Sequence, residues 1–158
     1  MKRLTAFGFA ILVAGLLCGC ASGPDAKYFF ERGFDNENQG NYEQAMADYT
    51  QAIRLDPNYS TPYMRRGCLY SEMGEYDKAI ADLTQAIAIA VSQGADATNS
   101  LVNYWYIERG KAYYLKDNRE MAIGDFDEAI RVHESSASSI RSFLEDVQSD
   151  LISRYPIN

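Results

Sequence analysis

The chain has 158 residues, 47% of them apolar and 23% charged, which suits one domain with a buried core and leaves no room for separate catalytic and regulatory domains. Fifteen Lys and Arg against 22 Asp and Glu give a net charge of −7 and a pI near 4.7. That excludes the basic face a sequence-independent nucleic-acid binder needs to displace counterions. One histidine and three cysteines, two of them among the first 20 residues, disfavour His/Cys metal sites and histidine-based triads by count.

The chain opens with Lys2 and Arg3, followed by an uncharged stretch from Leu4 to Leu17. Fourteen residues are too few to span a bilayer comfortably, and the pattern is that of a secretory signal. Leu17-Cys18-Gly19-Cys20 follows and resembles the lipobox of bacterial lipoproteins. The resemblance implies a signal peptide over 1–19, cleavage before Cys20, diacylglycerol on its sulfur and an acyl chain such as palmitate on its new amino group. Cys18 fits less well as the acceptor, because Leu17 would occupy the small-residue position. A C-x-C metal pair is disfavoured because cleavage removes Cys18; a plain secreted protein is the stronger competitor. Each buried methylene contributes about 0.8 kcal/mol, so several acyl chains would anchor the protein stably. Ala21 stands where an aspartate would favour inner-membrane retention, so the resemblance implies the outer membrane, facing the periplasm. Residues 20–25 would form a lipidated tether. Loss of Lys2 and Arg3 leaves 13 basic against 22 acidic residues, a net charge of −9. It also leaves Cys68 as the one free thiol, so an intramolecular disulfide is excluded.

From Ala26 the chain repeats. Gly33 and Gly67, Gly40 and Gly74, Tyr42 and Tyr76, Ala45 and Ala79, and Ala52 and Ala86 each stand 34 residues apart. The pattern returns 43 residues later at Gly110, Ala122 and Ala129, so the third copy is displaced by nine. A 34-residue period is the tetratricopeptide spacing. The signature residues are Phe29, Gly33, Tyr42, Ala45, Tyr49, Ala52 and Pro57 in copy one. Copy two has Tyr63, Gly67, Tyr70, Tyr76, Ala79, Leu83 and Ala86, and copy three Tyr106, Gly110, Tyr113, Ala122, Phe126 and Ala129. The chain resembles a tetratricopeptide repeat (TPR) protein over 26–134, with copies at 26–59, 60–93 and 103–134. The resemblance implies an all-α fold: a right-handed superhelical stack of three helix pairs plus a C-terminal capping helix. In copy two the pattern predicts helices Tyr63 to Met73 and Asp77 to Ile89. The small residues let paired helices approach closely, and stacking buries what one pair cannot bury alone. Seven of the 12 tyrosines, Tyr42 among them, fall at signature packing positions, so core filling is preferred over a stacking platform for bases or sugars.

The copies share a departure from the usual pattern. Arg32, Arg66 and Arg109 precede the first glycine, and Asp48, Asp82 and Asp125 follow 16 residues later. That constancy predicts structural pairs in which each arginine crosses its helix pair, its stem laid on the core; ligand-binding arginines are the alternative.

The insertion falls within Ala90 to Val102. It either lengthens the second helix of copy two or forms a loop capped by Thr98 or Asn99 before a helix from Leu101 to Leu115. It is a candidate partner-specific element, or simply a tolerated surface loop. Beyond His133 a serine-rich joint (Ser135 to Ser139) precedes Ile140, Phe143, Leu144, Val147 and Leu151, the spacing of an amphipathic helix ended by Pro156. Residues 135–158 are expected to cap the solenoid. A detachable helix that docks into a groove is the sharper alternative.

No phosphate-binding glycine loop, H-E-x-x-H, G-x-S-x-G or paired-cysteine zinc pattern occurs. The reading is therefore a non-catalytic chain without a cofactor other than the lipid on Cys20. The resemblance places function in the concave groove lined by first helices. Its usual positions carry over to Lys27, Phe30, Phe34 and Glu37, to Thr61, Met64, Cys68 and Ser71, and to Tyr104, Ile107, Lys111 and Tyr114. Some members clamp a C-terminal carboxylate there. The clamp positions here read Phe30, Phe34, Arg65, Tyr104 and Glu108, of which only Arg65 could serve. The expected ligand is instead an apolar helix or segment of a partner protein. Self-association, with the groove filled by its own copies or its own C-terminal helix, is the alternative, and a carboxylate-based enzyme the third.

Overall fold

The structure is a computed structural model that describes residues 23–95, 100–146 and 151–154. These form seven α-helices: α1 (Ala26–Asn38), α2 (Tyr42–Leu55), α3 (Ser60–Glu72), α4 (Tyr76–Ser92), α5 (Ser100–Leu115), α6 (Arg119–Val132) and α7 (Ser136–Asp146). A short 3-10 turn, Ile152–Arg154, follows, and there is no strand among the described residues. Helices pack in sequential pairs, α1 on α2, α3 on α4 and α5 on α6, and each second helix packs on the next first helix. Cys18, Cys20, Thr98, Asn99, Val147 and Pro156 lie outside the described residues. No described helix is long and apolar enough to cross a membrane.

The repeat chemistry explains why the pairs form. A Cβ on Gly33 would stand 2.8 Å from Tyr49 Cε1, one on Gly67 3.0 Å from Leu83 Cγ, and one on Gly110 2.6 Å from Phe126 Cε1. In each pair a fully buried large side chain of the second helix fills the place a Cβ would take. Ala45, Ala52, Ala79, Ala86, Ala122 and Ala129 are also fully buried. Sealing Tyr49, Leu83 and Phe126 stabilises the stack by roughly 1.5–3 kcal/mol each.

Each first helix ends the same way. The N–H of Gly40 donates to Glu37 O and that of Asn41 to Asn36 O; Gly74 and Glu75 repeat this with Ser71 and Tyr70. These are Schellman closures, with the glycines at positive φ. In copy three Asp117 takes the position at φ 62°, donating to Tyr114 O while Asn118 donates to Tyr113 O.

The nine inserted residues are divided. Against α2 and α3, α4 runs three residues further and α5 begins three residues earlier; the remaining three lengthen the connection. The extensions are packed: Ala90, Val102 and Trp105 join Met64, Leu83, Ala86 and Ile87 in one buried cluster. Ala90, Ala95, Val102 and Trp105 also wall an open cleft of about 240 Å³.

Four expectations need correction. Tyr42 does not fill the core; it is 49% exposed, because it opens α2 at the solvent end of the pair. The helices of copy two begin at Ser60 and Tyr76, ahead of the expected Tyr63 and Asp77. Ser135 to Ser139 is not a joint: Ser136 starts α7, its hydroxyl donating to Asn103 Oδ1 at 2.7 Å, while Asn103 Nδ2 donates to Ala129 O at 2.6 Å. Both polar side chains are buried, so serines that read as a linker form a satisfied buried network. The C-terminal helix stops at Asp146 and is followed by a turn. Ile140 and Leu144 of α7 seal Ile107, Ala122, Phe126 and Ala129.

Candidate functional site: the concave face

The three arginines cross their helix pairs. Arg66 donates to Asp82 through Nε (2.7 Å) and Nη2 (2.9 Å), and Arg109 to Asp125 at 2.9 and 2.7 Å. Arg32 donates to Asp48 through Nε at 2.9 Å and also through Nη2. Burial of all three aspartates calls for such paired, bidentate bonding. Two partners were not visible in the pairing alone. Arg66 Nη1 donates to Thr50 Oγ1 at 3.0 Å and Arg109 Nη1 to Thr84 Oγ1 at 3.2 Å, which ties each arginine to the preceding repeat. Each also lies near the rings three residues before and four after it: Tyr63 and Tyr70, then Tyr106 and Tyr113. Thr50 and Thr84 stand one period apart, the signal that could have revealed this bond. Arg32 has no preceding repeat, and its side chain is 48% exposed against 16% for Arg66.

The predicted groove residues separate into three groups. Met64 and Ile107 are buried core residues, turned into the stack by the helix rotation that lines the groove with their neighbours. Lys111 and Tyr114 meet the C-terminal helix: the Lys111 ammonium lies 5.6 Å from the Phe143 ring centre, and Tyr114 packs edge-on to Phe143 at 5.7 Å. Phe30 is half-buried against Tyr49 and Tyr59. Lys27 pairs with Glu31 at 3.6 Å, and Thr61 lines the cleft beside Trp105. Phe34, Cys68 and Tyr104 remain on the accessible face, where Tyr104 is 45% exposed.

These three enclose charged groups. The Arg65 guanidinium lies 4.7 Å from the Phe34 ring centre and donates to Glu37 Oε1 at 3.4 Å. Glu37 also accepts from the Tyr49 hydroxyl. Lys111 donates to Glu108 at 2.9 Å. Cys68 Sγ lies 3.8 Å from Met64 Sδ. Burial, with Glu108 second, pushes the Cys68 thiol up to about 12. The Tyr104 phenol is raised by burial, then by Glu108 and Cys68, and the Tyr49 phenol by burial, then by its bond to Glu37. The lining is therefore not simply aromatic and aliphatic, as expected from the sequence. Glu37–Arg65 and Glu108–Lys111 cross it, and their pairing could not be read from residues 28 apart. A neutral thiol and neutral phenols beside compensated charges suit recognition of a polypeptide; an unpaired nucleophile is not what this geometry offers. No three His, Cys, Asp or Glu side chains among the described residues assemble a site that could hold a metal ion.

Comparison with known proteins agrees with this architecture. A TPR repeat profile matches residues 38–74, and a tetratricopeptide repeat profile matches residues 61–90. No curated protein sequence matches the chain. Among solved structures it is similar to the N-terminal domain of stress-induced protein-1 from C. elegans, at 19% identity over 75% of this chain and 93% of that one, with a TM-score of 0.65. It is similar to the first TPR of Spaghetti (RPAP3) bound to the HSP90 peptide SRMEEVD, at 21% identity over 79% and 94%, TM-score 0.64. MamA is similar at 27% identity over 72% of this chain and 57% of that one, TM-score 0.60. Buried glycine contacts, Schellman closures and sequential helix pairs, together with these matches, make the chain an all-α solenoid carrying tetratricopeptide repeats.

Proposed function

We propose that this chain is a lipid-anchored, non-catalytic adaptor of the bacterial outer membrane that holds a partner polypeptide on its concave face. The observation that carries the binding reading is the accessible group of Phe34, Cys68 and Tyr104 around Arg65, on a fold that mediates protein–protein interaction and that in Spaghetti holds a peptide. The anchor rests on the lipobox-like Leu17-Cys18-Gly19-Cys20, with Cys20 as the acylated residue and the periplasm as the compartment its flanking Ala21 favours.

Two experiments test the two halves. For the anchor, cells would be labelled with palmitate while expressing the wild type or Cys20→Ala. Label in the wild type alone supports it, and equal labelling or none removes it. For the groove, solubilised envelope would be passed over the wild type and Phe34→Glu/Tyr104→Glu, with circular dichroism showing that both fold. Met64 is unsuitable for this purpose because its burial makes a glutamate there an unfolding change. A protein retained by the first and lost by the second supports the adaptor. Identical binding patterns remove the groove as the binding face, and retention of further copies of the chain favours self-association.

A further inference from the structure

Donor capacity across the concave face is unevenly used. A guanidinium carries five N–H donors, and Arg65 makes one hydrogen bond among the described residues, the 3.4 Å contact to Glu37. Glu37 is held independently by the Tyr49 hydroxyl, whose raised pKa keeps it a donor. Arg65 can therefore turn to a second acceptor without leaving a carboxylate unbonded. Lys111 likewise commits one of its three donors, to Glu108. The acids lie deeper than the bases: side-chain exposure is 18% for Glu37 against 34% for Arg65, and 16% for Glu108 against 27% for Lys111. The pairs belong to one face, since Cys68 and Tyr104 both feel Glu108 and Arg65. Phe34 and Tyr104 supply the accessible ring surface beside the two cations. Phe143 of α7 stands against Lys111 and Tyr114, which bounds this end of the surface and favours a short ligand.

We infer that the concave face selects a short polypeptide segment bearing a side-chain carboxylate next to an apolar side chain, the carboxylate taken by Arg65 and Lys111 and the apolar group seated on Phe34 and Tyr104. The inference rests on the groove being the binding face, and it replaces a wholly apolar ligand with an acidic–apolar one. Spare donors on both cations and covered carboxylates beneath them give the complementarity its sign.

The test is an array of seven-residue peptides, acetylated and C-terminally amidated so that every carboxylate is a side chain, permuting Leu, Phe, Glu, Gln and Lys. The detergent-solubilised full chain is the probe. Glu peptides are expected to bind at least tenfold more tightly than their Gln counterparts. Arg65→Gln, or Lys111→Gln if the former fails a circular dichroism check, is expected to abolish that preference while leaving the Gln peptides unchanged. Equal binding of Glu and Gln peptides, selection of Lys peptides, or a preference that survives both substitutions overturns the inference while leaving the groove as a binding face. An array without any binding overturns both.

Discussion

Adding one methyl group at Gly110 and one at Gly124 separates close packing from helix propensity. Gly110 lies in α5 and Gly124 in α6, both within helices. Alanine favours a helix interior over glycine by about 1 kcal/mol at either site. At Gly110 the new Cβ meets Phe126 Cε1 at 2.6 Å, Phe126 Cδ1 at 2.7 Å and Asp125 Cβ at 3.2 Å, whereas nothing lies within 4 Å of one at Gly124. Phe126 is fully buried, so it can yield only by moving the α5–α6 pair apart. Overpacking of this kind costs roughly 1–3 kcal/mol. Propensity cancels between the variants, leaving that clash as their difference. Gly124→Ala should stabilise by about 0.5–1 kcal/mol, and Gly110→Ala should be destabilised by up to about 2 kcal/mol once its propensity gain is subtracted. Urea titration followed by circular dichroism reads both midpoints, and the thermal midpoints should separate by about 4 °C per kcal/mol. Equal midpoints, or a more stable Gly110→Ala, would refute the claim that a close approach of α5 to Phe126 requires glycine.

Arg66→Met should cost about 2–3 kcal/mol in urea midpoint stability, because it leaves Asp82 buried and unpaired, while peptide binding on the concave face persists; a folded variant that loses binding would make Arg66 a ligand-contacting residue. Arg32→Met should cost less, since water reaches Arg32. Asp117→Gly should raise stability by about 1 kcal/mol by relieving a left-handed conformation that Gly40 and Gly74 adopt freely, and an unchanged melting curve would count against that strain. Cys68 should resist a disulfide-exchange reagent at pH 8 until urea unfolds the chain, because its thiol is held protonated up to about 12. The sign of the linked stability follows from that shift. Above the ordinary value of 9.0 the unfolded chain releases the proton and the folded chain keeps it. Cys68's contribution is therefore complete below about pH 8.5 and falls as pH rises toward 12. Urea midpoints at pH 8 and pH 10.5 for the wild type and Cys68→Ala check it: the wild type should lose more, and equal losses would contradict the buried neutral thiol.

The arginine arrangement shows how a repeat protein divides its interactions. Each Arg–Asp bond is internal to a helix pair, and the Arg–Thr bonds join neighbouring pairs. In a solenoid, stability combines pair terms with nearest-neighbour terms. Arg66 and Arg109 thus contribute to both kinds, whereas Arg32 contributes to the first alone.

By itself the sequence determined what local periodicity can encode. The 34-residue recurrence of glycine, alanine and tyrosine identified the helix pairs, the glycine turns and the Arg–Asp pairs, because each concerns residues whose separation is constant from copy to copy. Tertiary structure alone decided features that depend on rotation about a helix axis or on contacts outside the repeat. Met64 and Cys68 are four residues apart on one helix, yet one is core and the other lines the groove, a difference of orientation that spacing does not resolve. Glu37 meets Arg65, Tyr49 fixes Glu37, and Phe143 bounds the groove at Lys111 because separate repeats and α7 converge there. Ser136 was taken from the apparent linker into a buried bond with Asn103, since its partner stands 33 residues earlier on another helix. Burial of a polar group depends on which acceptor the stack brings within reach, and that is a property of the assembled helices.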